Sequence, residues 1–246
     1  MLDLLASDLD GTLADTEALK AESYAWAAHQ LRSDLDPAAV ERAYAPFVGR
    51  SRQEIATSLL DQFGLAEAAR GHDATVEPWE SYVGLRLERY RAMLADGDRV
   101  RRLARARAVA LVRDGRRHAR SLALVTTSDA RNAALVLGAL GLADAFDTVV
   151  TADDVAQTKP SPEGYRLALH RLGADAGRSV TVEDSPAGVR AAVAAGLGVV
   201  AVPDRYTRRG VDALVRDGLI GPGDLATAET LADAVARHAR AVGAGV

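Results

Sequence analysis

The residues best suited to chemistry in this 246-residue sequence follow short apolar segments at separate places along the chain. They comprise two acidic pairs, a hydroxyl-rich stretch and a lysine. In chain order they are Asp8 with Asp10, Thr126 with Thr127 and Ser128, Lys159, and Glu183 with Asp184. Lysine is rare here, since only Lys20 and Lys159 occur among the 30 basic residues. Each set alone has a plain structural explanation, such as capping a helix, and only the combination indicates a site.

Brought together, these residue types are suited to the transfer of a phosphoryl group. Converging carboxylates repel one another unless a divalent cation neutralises them, and oxygen ligands suit Mg²⁺. A carboxylate can attack phosphorus and form an acyl phosphate, which divides hydrolysis into two easier steps. A second carboxylate two residues further on lies on the same side of an extended chain, where it can act as acid and base. A lysine ammonium, hydroxyls and backbone N–H groups can hold the phosphoryl oxygens.

The elements that must position these residues are predicted from the apolar pattern. Short apolar segments alternate with longer helical patterns, which predicts an α/β fold with a parallel sheet and helices on both faces. Ligands of such folds bind at the carboxyl ends of the strands. The sequence predicts strands over residues 2–7, 122–126, 148–151, 179–182 and 199–202, and helices over 130–140, 162–172 and 186–195. Ser161-Pro162 and Ser185-Pro186 each indicate a helix start with a capping hydroxyl before a proline.

A helical insert is expected between the first and second strands. Apolar residues recur three or four apart over residues 17–31, 52–63 and 79–94, and no convincing strand occurs there. We therefore expect a core domain of residues 1–15 and 97–246, and an inserted helical domain of residues 16–96. The arginine-rich stretch over residues 99–120 keeps a helical spacing and is interpreted as a solvated helix face.

Composition narrows the class of protein. Hydrophobic content of 48% and charged content of 26% predict a packed core, and the net charge of −4 gives no reason to expect a nucleic-acid partner. No apolar stretch is long enough to cross a membrane, and no signal peptide is recognisable at the start. The absence of cysteine excludes disulfides and thiolate metal sites and is typical of a reducing compartment. We expect a cytoplasmic protein without a membrane partner.

The four sets together resemble the motifs of the haloacid-dehalogenase superfamily, in order and over nearly the whole chain. The first motif is resembled by DLDGTL at residues 8–13, and the second by Thr126. The third motif is resembled by Lys159 with Pro160, and the fourth by EDSPAG at residues 183–188. The resemblance is to subfamily I with a helical C1 cap, the group of β-phosphoglucomutases and related phosphatases. It implies a Rossmann-like, doubly wound parallel sheet with an inserted α-helical cap domain.

The same resemblance implies roles for individual residues. Asp8 would be the nucleophile and Asp10 the general acid and base, with Thr126 and Lys159 completing the catalytic set. The implied cofactor is Mg²⁺, and its ligands would be Asp8, Asp184 and the backbone carbonyl of Asp10, with Glu183 close by. The candidate substrate-binding residues are Gly11, Thr16, Lys20, Arg52, Arg86, Thr127 and Ser128.

Several candidate residues bear on which reaction is catalysed. True dehalogenases and phosphonoacetaldehyde hydrolases lack an acid at the second position of the first pair, so Asp10 argues against both. Thr16, Ser128 and Arg52, the last within GRSR at residues 49–52, resemble the phosphoglucomutase pattern. Lys20 replaces a histidine expected there, and Arg86 lies near a lysine position of the mutase cap.

Asp129 favours hydrolysis over the mutase reaction. It falls where mutases usually carry a basic residue beside a second phosphate, although it could equally cap the helix that begins at Ala130. We predict a Mg²⁺-dependent phosphatase acting on a small phosphorylated metabolite, by default a sugar phosphate, as a monomer or weak homodimer. The alternatives are a phosphosugar mutase and a binding protein on an inactive fold. An inactive fold would lack the nucleophile or the motif lysine, and this sequence has both.

Overall fold

A computed structural model describes residues 1–48 and 50–244 of the chain. The chain divides into two compact units. We call Met1–Asp15 together with Gly97–Val246 the core unit, and Thr16–Asp96 the cap unit. Gly49, the first residue of the mutase-like stretch, lies outside the described residues.

The core unit is built on a five-stranded parallel sheet, which confirms the predicted α/β fold class. The strand order is β3-β2-β1-β4-β5, so the first strand lies in the centre. The strands are β1 (Leu2–Ser7), β2 (Ala119–Val125), β3 (Thr148–Val150), β4 (Ser179–Glu183) and β5 (Gly198–Ala201). Because all the strands run in one direction, their carboxyl ends meet at one edge.

Helices cover both faces of this sheet, as the buried β1 requires. The core helices are α6 (Gly97–Arg102), α7 (Ala106–Arg113), α8 (Ala130–Leu140), α9 (Glu163–Leu172), α10 (Pro186–Ala194), α11 (Arg208–Arg216) and α12 (Leu231–Ala244). Leu4 and Ala6 join the apolar cluster that α9, α10 and α11 form, whereas Leu5 and Ser7 line a small cavity with residues of α7.

Several element boundaries differ by one to three residues from the sequence-based prediction. β2 begins three residues early because Ala119 continues the pairing with β1 opposite Leu2, although the residues that follow interrupt the apolar pattern. β5 is shifted by one residue and ends at Ala201. The start of α9 is displaced by one residue: Pro162 is the N-cap and its carbonyl oxygen accepts the N–H of Arg166, while the hydroxyl of Ser161 still accepts the N–H of Glu163 at 3.3 Å. By contrast, Ser185 caps α10 as predicted, with Pro186 at the first helical position.

In the residues that the structure describes, the cap unit consists of helices and the loops that join them. Its helices are α1 (Glu17–Leu31), α2 (Pro37–Tyr44), α3 (Arg52–Phe63), α4 (Ala66–His72) and α5 (Pro78–Ala95). α1 and α3 match their predicted ranges, whereas α2 and α4 were not predicted. α5 packs against α1, α3 and α4 around a core of its own. Stacked tyrosines lie in this core, with the rings of Tyr24 and Tyr44 5.5 Å apart.

Candidate active site

Asp8 lies at the carboxyl end of β1, the central strand. Its backbone N–H donates to the carbonyl oxygen of Val182 at 3.0 Å, which ties the residue to β4, and its side chain is buried. Beyond Asp8 the chain turns at Gly11, whose φ is +85° and whose N–H donates to Ala14 within the turn. A β-carbon at position 11 would lie 2.4 Å from Asp184 Oδ2. Glycine is therefore required there both by the backbone and by the neighbouring carboxylate.

Three buried carboxylates converge at this edge of the sheet. One oxygen each from Asp8, Glu183 and Asp184 lies within 4.8 Å of the other two. The convergence follows from the topology, because β1 and β4 are hydrogen-bonded neighbours that end side by side. Glu183 Oε2 is buried and has no hydrogen-bond partner among the described residues. An all-oxygen donor set with an orphaned carboxylate oxygen fits a divalent cation.

Lys159 supplies positive charge to the same cluster. Its Nζ donates to Asp8 Oδ1 at 2.6 Å, to Glu183 Oε1 at 2.5 Å and to the carbonyl oxygen of Val125 at 2.7 Å. These bonds use all three ammonium protons. Sequence reasoning missed a further partner, Tyr165 of α9, whose hydroxyl donates to Glu183 Oε1. A signal for Tyr165 existed, because a tyrosine on the apolar face of a helix needs a partner for its hydroxyl.

Electrostatics at this site favour a bound cation. Burial raises the pKa of Asp8 to about 7; Lys159 opposes the shift, and the neighbouring Glu183 and Asp10 add to it. Burial also disfavours the Lys159 ammonium, but Asp8 and Glu183 outweigh this effect and hold the pKa of Lys159 well above its ordinary value. A cation beside Asp8 would keep its carboxylate ionised, the form that a nucleophile requires.

Asp10 is positioned by the loop that follows β2. Ser128 Oγ donates to Asp10 Oδ2 at 2.6 Å, and both side chains are buried. The loop is closed by a bond from the Ser128 N–H to Thr126 Oγ1 at 3.1 Å. Ser128 thus contacts Asp10 directly and Thr126 holds the backbone of Ser128, whereas the neighbouring Thr127 is exposed.

Asp129 caps the helix after this loop. Its Oδ1 accepts the backbone N–H of Asn132 at 2.9 Å, and its Oδ2 accepts the side-chain amide of Asn132 at 3.0 Å. Helix α8 begins at the next residue, so the capping interpretation of Asp129 is confirmed.

Within the cap unit, Lys20 belongs to a buried polar group that sequence reasoning only partly anticipated. Lys20 Nζ and Glu17 Oε1 lie 2.7 Å apart, and the hydroxyl of Tyr44 donates to Glu17 Oε2 at 2.7 Å. Glu17 is buried and only 16% of the Lys20 side chain is exposed, so Lys20 is not a freely solvated lysine. Glu17 and Tyr44 were not predicted, and Tyr44 lies too far along the chain for spacing to have indicated it.

The remaining cap candidates differ in burial. Thr16 is fully buried, and Arg52 is half-buried at the start of α3. Arg86 is 4% exposed, and its guanidinium lies 4.8 Å from the ring centre of Tyr24 and 5.0 Å from that of Tyr90. Its Nε and Nη1 have no hydrogen-bond partner among the described residues. Their roles toward a substrate stay predictions.

Comparison with known proteins identifies the class to which this fold and site belong. The model of the haloacid dehalogenase-like hydrolase family matches residues 2–196, and the chain belongs to this family. It is 32% identical over 211 residues to the protein CbbY of Cereibacter sphaeroides, covering 85% of this chain and 87% of CbbY. It is also 32% identical over 231 residues to a plasmid-encoded phosphoglycolate phosphatase of Cupriavidus necator, covering 93% and 87% of the two chains.

A solved structure shares the fold over most of its length. It is a mutant CbbY from Rhodobacter sphaeroides in complex with xylulose-(1,5)bisphosphate, with a TM-score of 0.67 and 29% identity. The match covers 85% of this chain and 89% of that one. Among the residues that the structure describes here, no helix is long and apolar enough to span a membrane.

Proposed function

We propose that this chain is a Mg²⁺-dependent phosphatase that hydrolyses a small phosphorylated metabolite, by default a sugar phosphate, through a phosphorylated Asp8. One observation carries the proposal. Asp8 is buried at the carboxyl end of the central strand, with Lys159 bonded to it and Asp184 and Glu183 beside it. A helix cap or a structural ion pair does not require three carboxylates and a lysine at one strand edge.

The proposed reaction has two steps. In the first, an Asp8 carboxylate oxygen attacks phosphorus, the bond from phosphorus to the ester oxygen breaks, and Asp10 protonates the leaving oxygen. In the second, Asp10 takes a proton from water, the water oxygen attacks phosphorus, and the Asp8 carboxylate is released with inorganic phosphate. The contact between Ser128 and Asp10 holds this acid and base in place. Thr126 and the loop after β2 would bind the phosphoryl oxygens.

Asp8, Asp184 and the backbone carbonyl of Asp10 would hold Mg²⁺, with Glu183 close by. When bound, the cation would neutralise the carboxylates and the phosphoryl group, so that the anionic Asp8 carboxylate can approach the anionic phosphate group of the substrate. Lys159 contributes the remaining positive charge next to Asp8, and its three bonds keep it in that place.

The relatives narrow the substrate class that we propose. One is named for phosphoglycolate, and another was solved with a sugar bisphosphate, so both ligands carry a second anionic group besides a phosphate. We propose that side chains of the cap unit contact the leaving group. Lys20, Arg86 and Arg52 are the cations proposed for that contact, and Thr16 lies at the start of the unit.

The test is release of inorganic phosphate from a panel of phosphorylated metabolites that includes phosphoglycolate, sugar monophosphates and sugar bisphosphates. We expect release with Mg²⁺, none with EDTA, and none from Asp8→Asn. The mutase alternative predicts that a sugar phosphate is isomerised without net release of phosphate. If neither the wild type nor Asp8→Asn releases phosphate from any compound of the panel, a binding protein is favoured instead.

We further propose a cytoplasmic protein that is a monomer or weak homodimer and binds neither nucleic acid nor membranes. The absence of cysteine supports the location, and the mildly acidic composition argues against a nucleic-acid partner. Light scattering coupled to gel filtration would measure the oligomeric state, and fractionation of the source cells would test the location.

A further inference from the structure

Tyr165 touches two charged residues of the site, yet the proposed reaction assigns it no role. Its side chain is fully buried on α9, and its hydroxyl donates to Glu183 Oε1 and lies 3.2 Å from Thr181 Oγ1. Lys159 Nζ is 5.3 Å from the centre of the Tyr165 ring, within the range of a cation–π contact. All of these residues belong to the core unit.

These contacts restrict how Glu183 can turn. Two donors, Lys159 Nζ and the Tyr165 hydroxyl, converge on Oε1, whereas Oε2 has no hydrogen-bond partner among the described residues. A carboxylate anchored through one oxygen by two donors keeps its other oxygen in a defined direction. Partners of this kind orient metal-site carboxylates in general, and their loss typically reduces metal affinity or activity 10- to 100-fold.

The ring of Tyr165 adds to the same effect. It lies beside the ammonium that must stay within hydrogen-bond distance of Asp8, while the hydroxyl bonds to the Glu183 oxygen that the same ammonium contacts. The spacing on α9 permits this, because Tyr165 shares the inward face of the helix with Ala168 and Leu169, three and four residues further on.

We propose that Tyr165 is a positioning residue, whose hydroxyl orients Glu183 toward the divalent cation and thereby keeps Lys159 on the nucleophile Asp8. The catalytic part of this inference rests on the proposed phosphatase function. The part that concerns the cation does not, because it can be measured on metal-free protein without any substrate.

The test compares Tyr165→Phe, which keeps the ring and removes only the hydroxyl, with Thr181→Val. The control removes the other hydroxyl near Tyr165 from an equally buried position and leaves the bond from Tyr165 to Glu183 intact. Calorimetric titration of MgCl₂ into metal-free protein should give a Kd raised about tenfold for Tyr165→Phe and unchanged for Thr181→Val. In the phosphate-release assay, Tyr165→Phe should lower kcat about tenfold and leave KM within about twofold.

A double-mutant cycle with Glu183→Ala separates positioning from packing. If the hydroxyl acts through Glu183, then adding Tyr165→Phe to Glu183→Ala changes the Mg²⁺ Kd no further. Wild-type Mg²⁺ affinity and kcat in Tyr165→Phe would overturn the inference, as would equal losses in Thr181→Val. If the wild type hydrolyses nothing on the panel but the difference in Mg²⁺ affinity persists, the proposed function fails and the positioning role stands.

Discussion

The backbone of Gly188 approaches the Glu183 carboxylate so closely that a β-carbon at position 188 would lie 1.9 Å from Glu183 Oε2. No real β-carbon tolerates such a distance, and Glu183 Oε1 is already anchored by Lys159 and Tyr165. The glycine at the start of α10 is thus part of what positions the carboxylate.

Gly188→Ala should therefore displace Glu183 and abolish Mg²⁺-dependent phosphate release. Gly138→Ala is the matched control, because Gly138 also lies in a core helix, yet a β-carbon there meets no atom within 4 Å. The control should keep full activity and gain up to about 1 kcal/mol of unfolding free energy, since alanine favours a helix. Activity in Gly188→Ala equal to that of the control would contradict the role assigned to Glu183.

The bond from Ser128 to Asp10 should matter for the rate rather than for binding. We expect Ser128→Ala to lower kcat by about tenfold, the equivalent of one hydrogen bond to a charged group. Ser179→Ala is the control, because Ser179 is a buried serine at the first residue of β4 and its hydroxyl donates to the carbonyl oxygen of Asp175. A change in KM alone would argue that Ser128 binds substrate and does not position Asp10.

Mg²⁺ should stabilise the protein against heat, because it binds a site that only the folded state forms. At a concentration 100 times the Kd, the expected gain is about 2.7 kcal/mol. The gain should disappear with EDTA and be much smaller in Asp184→Asn, which removes one charge from the cluster. Scanning calorimetry measures both, and an equal shift of Tm in wild type and Asp184→Asn would place the cation elsewhere.

Lys20 offers a test of the cap unit. If it contacts substrate, Lys20→Ala should reduce kcat/KM by about tenfold or more, whereas Arg70→Ala, at an exposed position of α4, should not. Glu17→Gln should also reduce kcat/KM, because the ion pair of 2.7 Å that holds the Lys20 ammonium is weakened. Unchanged kcat/KM for Lys20→Ala across the substrate panel would reject the contact.

Asp129 can be probed for capping and for charge separately. Asp129→Ala should cost about 1 kcal/mol of unfolding free energy through loss of the N-cap bond, and Asp129→Asn much less, because asparagine also caps helices. If the acidic charge selects against a second phosphate, Asp129→Asn should raise kcat/KM for bisphosphates. An unchanged preference between monophosphates and bisphosphates would leave capping as its function.

The sequence alone was sufficient for the fold class and for the residues that meet at the sheet edge. Each of the charged residues there follows a recognisable apolar segment or precedes a helix, namely Asp8, Lys159, Glu183 and Asp184. The rule that parallel strands have their carboxyl ends at one edge of the sheet then predicts that these residues lie together. The starts of β2 and α9 were less predictable. Both depend on particular hydrogen bonds, from the N–H of Leu2 to the carbonyl oxygen of His118 and from the N–H of Arg166 to that of Pro162, which periodicity does not encode.

What only the tertiary structure decided is which atoms meet. The residue types were evident from the sequence, but the sharing of Glu183 Oε1 by Lys159 and Tyr165 depends on how α9 packs on the sheet. The pairing of Glu17 with Tyr44 likewise joins residues that are 27 positions apart. Sequence patterns indicate which side of an element is buried. A hydrogen bond, however, depends on atomic positions to within a few tenths of an ångström, and the packing between elements determines these positions.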